Sequence, residues 1–177
     1  MLESEESLIK KAKSGDSDSF GELYDYYIPQ IYRYVLLKVS NKTTAEDLVH
    51  EIFISAWKSI GRYEHKGFPF SSWLYQIARN QVIDHYRVKK THSDIETVNE
   101  EFVKIDPDVS ERMDAKLQWE KVKGAMQNLS QDQQDVLIMR FVEDMSHREI
   151  AEAIKKTEGA VRIIQHRAIN ELKNLLV

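Results

Sequence analysis

The chain has 177 residues, 42% of them hydrophobic and 31% charged, with a formal net charge of −4 and no cysteine. That composition suits one large or two small soluble helical domains with ordinary cores; it argues against disorder, excludes disulfides and thiolate metal sites, and fits a reducing cytoplasm. With 3 Pro, 6 Gly and few alternating runs the expected class is all-α, and no apolar run approaches the ~18 residues that a membrane span needs.

The charge is unevenly spread. Residues 1–91 hold 13 Lys/Arg against 12 Asp/Glu, residues 92–115 hold 2 against 8, and residues 116–177 hold 10 against 9. The acidity sits in one segment, and its near-neutral flanks leave room for local basic clusters.

The first residues, MLESEESLIKKAKSGD, lack the basic-then-apolar layout of a signal peptide. They predict a short helix over 5–14 with Leu8, Ile9 and Ala12 inward, broken at Gly15-Asp16. Residues 17–39 are helical and aromatic-rich, with Phe20, Leu23, Tyr24, Tyr27, Ile28, Ile31, Tyr32, Val35 and Leu36 spaced mostly by 3 and 4. Pro29 inside this run predicts a kink, or a second helix restarting with Pro in its first turn.

Thr43 with Glu46 makes a capping box that opens the next helix. Its inner face is Ala45, Leu48, Val49, Ile52, Phe53, Ala56 and Ile60; its outer face carries Asp47, His50, Glu51, Ile54 and Lys58. Ile54 stands nearly opposite the core stripe among charges. It is either a docking point for a protein partner or an ordinary exposed isoleucine.

Gly61 ends that helix, and RYEHKGFPF forms a basic, aromatic loop. A helix over 71–90 follows, with Trp73, Leu74, Ile77, Ala78, Val82 and Ile83 inward. Its second half holds Arg79, Arg87, Lys89 and Lys90 against Asp84. Cations interleaved with Asn80, His85 and Tyr86 suit single-stranded nucleic acid, whose bases stack on rings while cations follow the phosphates. A basic helix end complementing its own dipole is the other reading.

Residues 92–115 lack clean periodicity, contain Pro107, and read as an acidic linker between domains at 1–91 and 116–177. The next helix places Met113, Leu117, Trp119 or Glu120, Met126 and Leu129 near its inner face. Ser130 and Gln133 cap a further helix that buries Val136, Leu137, Met139 or Arg140, and Phe141. Two helices joined by a tight turn then run from Ser146 to Leu172. Ser146 and Glu149 make a capping box, Thr157 caps the second helix, and Val161, Ile164, Ala168 and Leu172 form one stripe. Glu158, Gly159, Arg162, His166 and Lys173 fall on the opposite side. The layout is that of a helix-turn-helix, although any helical bundle contains such hairpins with solvated outer faces. There is no Gly-rich phosphate loop, zinc-protease motif or serine elbow, and His92, His147 and His166 are scattered singly, so no enzyme is expected.

Taken in order, AEDLVHEIFISAWKSI, FSSWLYQIARNQVIDHYR, an acidic linker and LSQDQQDVLIMRFVEDMSHREIAEAIKKTEGAVRIIQHRAINELK resemble a bacterial RNA polymerase sigma factor of the extracytoplasmic-function (ECF) type, over roughly residues 5–175. The resemblance implies an all-α chain of two small helical domains, the C-terminal one a helix-turn-helix: sigma region 2 at 1–91, an acidic linker at 92–115 threading toward the polymerase active-site channel, and sigma region 4 at 116–177. It implies an alternative sigma factor of the cytoplasm that directs promoter-specific initiation, with no cofactor or metal. A stand-alone helix-turn-helix regulator and a protein-interaction adaptor are the competing readings.

The implied partners are core RNA polymerase, through its clamp helices and flap, promoter DNA, and an anti-sigma factor, with no direct membrane insertion. Asp47, Glu51 and Ile54 become core-polymerase contacts. Phe68, Phe70 and Asn80 would take a flipped base of the −10 element, with Lys66, Arg79 and Arg87 near its backbone. In the −35 duplex, Arg162 and His166 would face bases and Arg148, Lys156 and Arg167 phosphates, with Thr157 and Glu158 at the start of the reading helix. The chain departs from the family pattern in the turn, where Lys155 and Lys156 replace a glycine and an apolar residue. A non-glycine residue at positive φ costs on the order of 1 kcal/mol, which leaves room for a turn of different shape, and Lys156 could add a phosphate contact. Ile163, Ile164 and Gln165 replace the commoner small or basic residue, basic residue and Leu.

Overall fold

The computed structural model describes residues 4–91 and 111–177, and every regular element among them is helical. Most of the acidic linker, with His92 and Pro107, lies outside the described residues. The chain divides into two compact units, Met1–Glu100 and Glu101–Val177.

The first unit is built from α1 (Glu5–Lys13), α2 (Ser17–Val39), α3 (Lys42–Ser59), a 3-10 turn (Ile60–Arg62) and α4 (Phe70–Thr91). The long helix α2 packs on α1, α3 and α4, and α3 packs on α4. Leu8, Leu23, Ile31, Val35, Ile52, Leu74 and Val82 fill the interior; each such side chain contributes roughly 1.5–3 kcal/mol by leaving water.

Pro29 neither breaks nor restarts α2, which runs unbroken through it. Proline removes only the bond to the carbonyl of Asp25 one turn earlier. Both residues are exposed, so that carbonyl lies on the side of α2 where water can reach it. The cap of α3 also differs from expectation. Asn41 holds an extended backbone and its Oδ1 accepts from the Thr44 amide at 2.9 Å, which leaves Thr43 inside the first turn.

The second unit holds α5 (Glu111–Met126), α6 (Gln131–Leu137), a π-helical turn (Ile138–Val142), α7 (His147–Ile154) and α8 (Glu158–Leu176). Helix α8 packs on α5, α6 and α7, and Leu129, Leu137 and Ala168 form a core that Met126, Ile169 and Leu172 cover. Helix α5 begins at Glu111, inside the stretch read as linker. Leu117, expected inward, is exposed; of Trp119 or Glu120, Trp119 is exposed and Glu120 half-buried, while Ala125 is buried.

Phe141, expected in the core, is 61% exposed. The cause is the π-helical turn. Its wider ring, closed by the Glu143 amide on the Ile138 carbonyl at 3.1 Å, shifts the phase of the apolar stripe. Met139 stays buried, and Phe141 rotates outward.

Candidate nucleic-acid and partner interfaces

Three surfaces collect the residues singled out from sequence. On α3 the outer face carries exposed Asp47, His50, Glu51 and Lys58. Ile54 shares this face but is half-buried, not exposed as expected. Helix geometry places the longer side chains of His50, Glu51, Trp57 and Lys58 one turn away on either side, and such chains shade a β-branched one. The large exposed group here is Trp57, 36% exposed, its ring 5.0 Å from that of Phe20. Trp57 lies at the edge of the apolar stripe of α3, and the signal that marks it is size together with that edge position.

The second surface is the loop before α4 and the outer face of α4. The loop is anchored at its start. Lys13 Nζ donates to the Tyr63 carbonyl at 2.6 Å, and the Tyr63 ring packs on Phe70 and Trp73 with centroids 5.3 and 5.1 Å away. Phe70 also meets Tyr27 at 5.6 Å and is only 2% exposed. Phe70 is therefore a core residue that holds the loop, and its ring is not open to a flipped base. Phe68 is half-buried, and Lys66 and Gly67 are exposed, with Gly67 at φ 79° turning the chain.

Along α4, Asn80 and Arg87 are both exposed and two turns apart, so they share one face. Gln76, one turn before Asn80, falls on that face half-buried and was not singled out. Arg79 is half-buried a quarter-turn away. Arg87 is ion-paired with Asp84. The buried side of α4 is tied to its neighbours by Tyr86 donating to the Lys38 carbonyl at 2.5 Å and Gln81 donating to Ser55 Oγ at 3.0 Å. His85, beside the basic end, has its pKa lowered by burial and then by Lys89, which favours the neutral ring.

The third surface is the helix-turn-helix. Ser146 and Glu149 form the expected capping box, and Thr157 Oγ1 accepts from the Ala160 amide at 3.1 Å. The turn keeps the left-handed geometry that glycine usually supplies. Lys155 sits at φ 56°, ψ 47°, and the Lys156 amide donates to the Ala151 carbonyl at 3.0 Å. The Lys156 ammonium lies 3.4 Å from Asp132 at the start of α6. His147 Nε2 lies in hydrogen-bond contact with Gln165 Oε1 at 2.6 Å, linking the first residue of α7 to the middle of α8.

Val161 and Ala168 are buried, and Ile164 and Leu172 are half-buried. Arg148, Glu158, Arg162, His166 and Arg167 are all exposed. Arg162 pairs with Glu158 at 3.7 Å, and His166 meets Asn170 at 3.2 Å. Ile163, which sequence reading treated only as a departure from pattern, is 54% exposed on this outer side. Among the described residues no group of three His, Asp or Glu side chains is placed to hold a metal, and no helix is long and apolar enough to cross a membrane.

Known proteins share this arrangement. Residues 23–91 match the family Sigma-70 region 2, and residues 125–174 match Sigma-70, region 4. The ECF RNA polymerase sigma factor BldN of Streptomyces coelicolor is 34% identical over 174 residues, covering 96% of this chain and 64% of BldN. SigW of Bacillus subtilis, also named an ECF RNA polymerase sigma factor, is 30% identical over 177 residues, covering 95% of this chain and 94% of SigW. The fold is that of CnrH, solved with the cytosolic domain of CnrY (TM-score 0.72, 23% identity, 96% of this chain and 94% of that one). It is also that of the sigma factor RpoE, solved with the anti-sigma factor NepR from Bartonella quintana (TM-score 0.70, 23% identity, 89% of this chain and 96% of that one). With the two regions matched in order on the two compact units, and a relative such as SigW covered almost end to end, the chain belongs to the ECF sigma factors of RNA polymerase.

Proposed function

We propose that this chain is a promoter-specificity subunit of RNA polymerase that works in the cytoplasm. The outer face of α3, with Asp47, Glu51, the accessible part of Ile54 and Trp57, docks on the polymerase clamp helices. Phe68, Lys66, Arg79, Asn80 and Arg87 engage the opened −10 strand: a base leaves the stack toward Phe68 and Asn80, and the cations follow the backbone. Helix α8 enters the major groove of the −35 duplex, with Arg162 and His166 toward base edges and Arg148, Arg167 and Lys156 toward phosphates. Thr157 and Glu158 set the first turn of α8, and Lys156 must leave Asp132 to reach a phosphate. The acidic linker runs toward the active-site channel, and the flap receives the second unit. No catalytic step is assigned to this chain.

The observation that supports this reading most strongly is the pairing of two differently built surfaces. Asn80 and Arg87 on the exposed face of α4, the helix that follows an aromatic loop, suit single strands, whereas a capped helix pair with an exposed, cation-bearing outer face suits duplex. Each falls on its own compact unit, in the order that promoter recognition requires. Family membership also supports an anti-sigma partner that covers these surfaces until release.

The deciding experiment adds the purified chain to core polymerase and measures core binding and run-off transcription, with Trp57→Ala as a variant. The expected result is promoter-dependent transcript, with weakened core binding by the variant. Tight binding to free duplex without any core binding would sink the proposal and favour a stand-alone regulator.

A further inference from the structure

Ile163 stands out from the residues around it. It is 54% exposed on α8, whose buried side is already supplied by Val161 and Ala168. Helix spacing sets it beside Gly159, His166 and Asn170, with Arg162 before it and Arg167 one turn on. A Cβ at Gly159 would meet only Thr157 Oγ1, at 4.0 Å, among the described residues, so that position one turn earlier has room for a close approach. A β-branched aliphatic here adds nothing to the core and is a weaker helix former than alanine or arginine. It offers no hydrogen bond to a phosphate, a guanine or an adenine.

One group on a major-groove base edge is apolar, the C5-methyl of thymine. We propose that Ile163 reads a thymine methyl within the duplex that α8 enters, making it a specificity-determining residue. The proposal rests on the reading of α7 and α8 as the duplex-reading pair. The flanking cations hold the helix in the groove, and Ile163 shields the methyl from water. Uracil keeps every hydrogen-bonding group of thymine and lacks only that methyl, so it isolates the contact.

The test uses holoenzyme assembled from the full chain and core polymerase, on templates whose upstream duplex element is randomised. Wild type is expected to enrich thymine at one step, Ile163→Val to keep that preference, and Ile163→Ala to lose it while keeping the others. Uracil at that step should lower wild-type transcript about fourfold, the worth of one buried methyl group, and leave Ile163→Ala unchanged. Identical profiles for wild type and Ile163→Ala, or a uracil penalty that persists in the variant, overturn the assignment to Ile163 alone. A pool that yields no transcript with any of the proteins overturns the reading of the chain as a specificity subunit, and the assignment falls with it.

Discussion

Lys155 closes α7 in the left-handed region, at φ 56° and ψ 47°. Replacing it by glycine and by alanine separates backbone strain from side-chain loss, because both variants discard the Lys155–Glu152 pair. That pair, at 3.1 Å, has side chains 56% and 26% exposed and is worth at most about 0.5 kcal/mol. An L-residue in this conformation costs roughly 1–2 kcal/mol. The greater freedom of glycine in the unfolded chain removes about 0.4–1 kcal/mol of that advantage. Lys155→Gly should therefore be more stable than Lys155→Ala by about 0.5–1 kcal/mol, the reverse of the order in an ordinary helix interior, where glycine loses by about that much. Two compact units make a single unfolding midpoint ill-defined, so the assay is amide hydrogen exchange at the buried Val161 and Ala168. Exchange in the glycine variant should be about two- to fivefold slower than in the alanine variant. Equal rates, or slower exchange with alanine, would refute the claim that this turn carries backbone strain.

The two phenylalanines of the loop should behave oppositely. Phe70→Ala empties a site shared by Tyr27, Tyr63 and Trp73 and should destabilise the first unit by about 3–5 kcal/mol. Phe68→Ala should leave thermal unfolding near wild type and reduce strand opening, read by permanganate reactivity of the melted region; the inverse pattern would overturn the burial argument. Tyr27 has its pKa raised, first by burial and then by the hydrogen bond to Glu5. The fold favours the neutral phenol, so this contribution is complete below about pH 10 and is lost as pH rises beyond it. Tyr27→Phe should flatten the alkaline fall of the first unit's stability, read by amide hydrogen exchange at buried residues of that unit such as Ile31 and Val35, and an unchanged alkaline slope would count against it.

The parts of the fold legible from sequence are those governed within one or two turns. Ser130 with Gln133, Ser146 with Glu149, and Thr157 act locally, and each cap forms where the spacing predicts it. The misses depend on what lies across space. Phe68 and Phe70 are two residues apart in one aromatic loop, and only the arrival of Tyr27 from α2 and Trp73 from α4 decides which is buried. Pro29 is tolerated because the carbonyl it deprives is on the exposed side. Phe141 reads as core if the helix keeps 3.6 residues per turn, and the π-helical turn removes that premise. Ile54 and Trp57 exchange roles for a simpler reason: periodicity fixes direction but not reach, and the larger ring at the stripe edge protrudes further.

The charges of the helix-turn-helix carry a consequence for affinity. Arg162 lies 3.7 Å from Glu158, Lys155 3.1 Å from Glu152, and Lys156 3.4 Å from Asp132. Exposed pairs of this kind are worth about 0–1 kcal/mol, so a phosphate can draw the cation away. The carboxylate left behind then repels the same phosphate, and fewer counterions are released per cation than an unpaired lysine would release. With 10 Lys/Arg against 9 Asp/Glu over residues 116–177, the net neutralisation is small. A plot of log affinity against log salt for the free chain on duplex DNA should have a slope no steeper than about −3, since each phosphate neutralised contributes about −0.9. Asp132→Asn should steepen it by about one phosphate equivalent by releasing Lys156. Fluorescence anisotropy across a potassium chloride series measures both. A free-chain slope near −8 would mean that this chain grips DNA unaided, as a stand-alone regulator must. A shallow slope that steepens once core polymerase is added is what a specificity subunit requires: the core supplies the hold on DNA, and the exposed face of α8 chooses where it is applied.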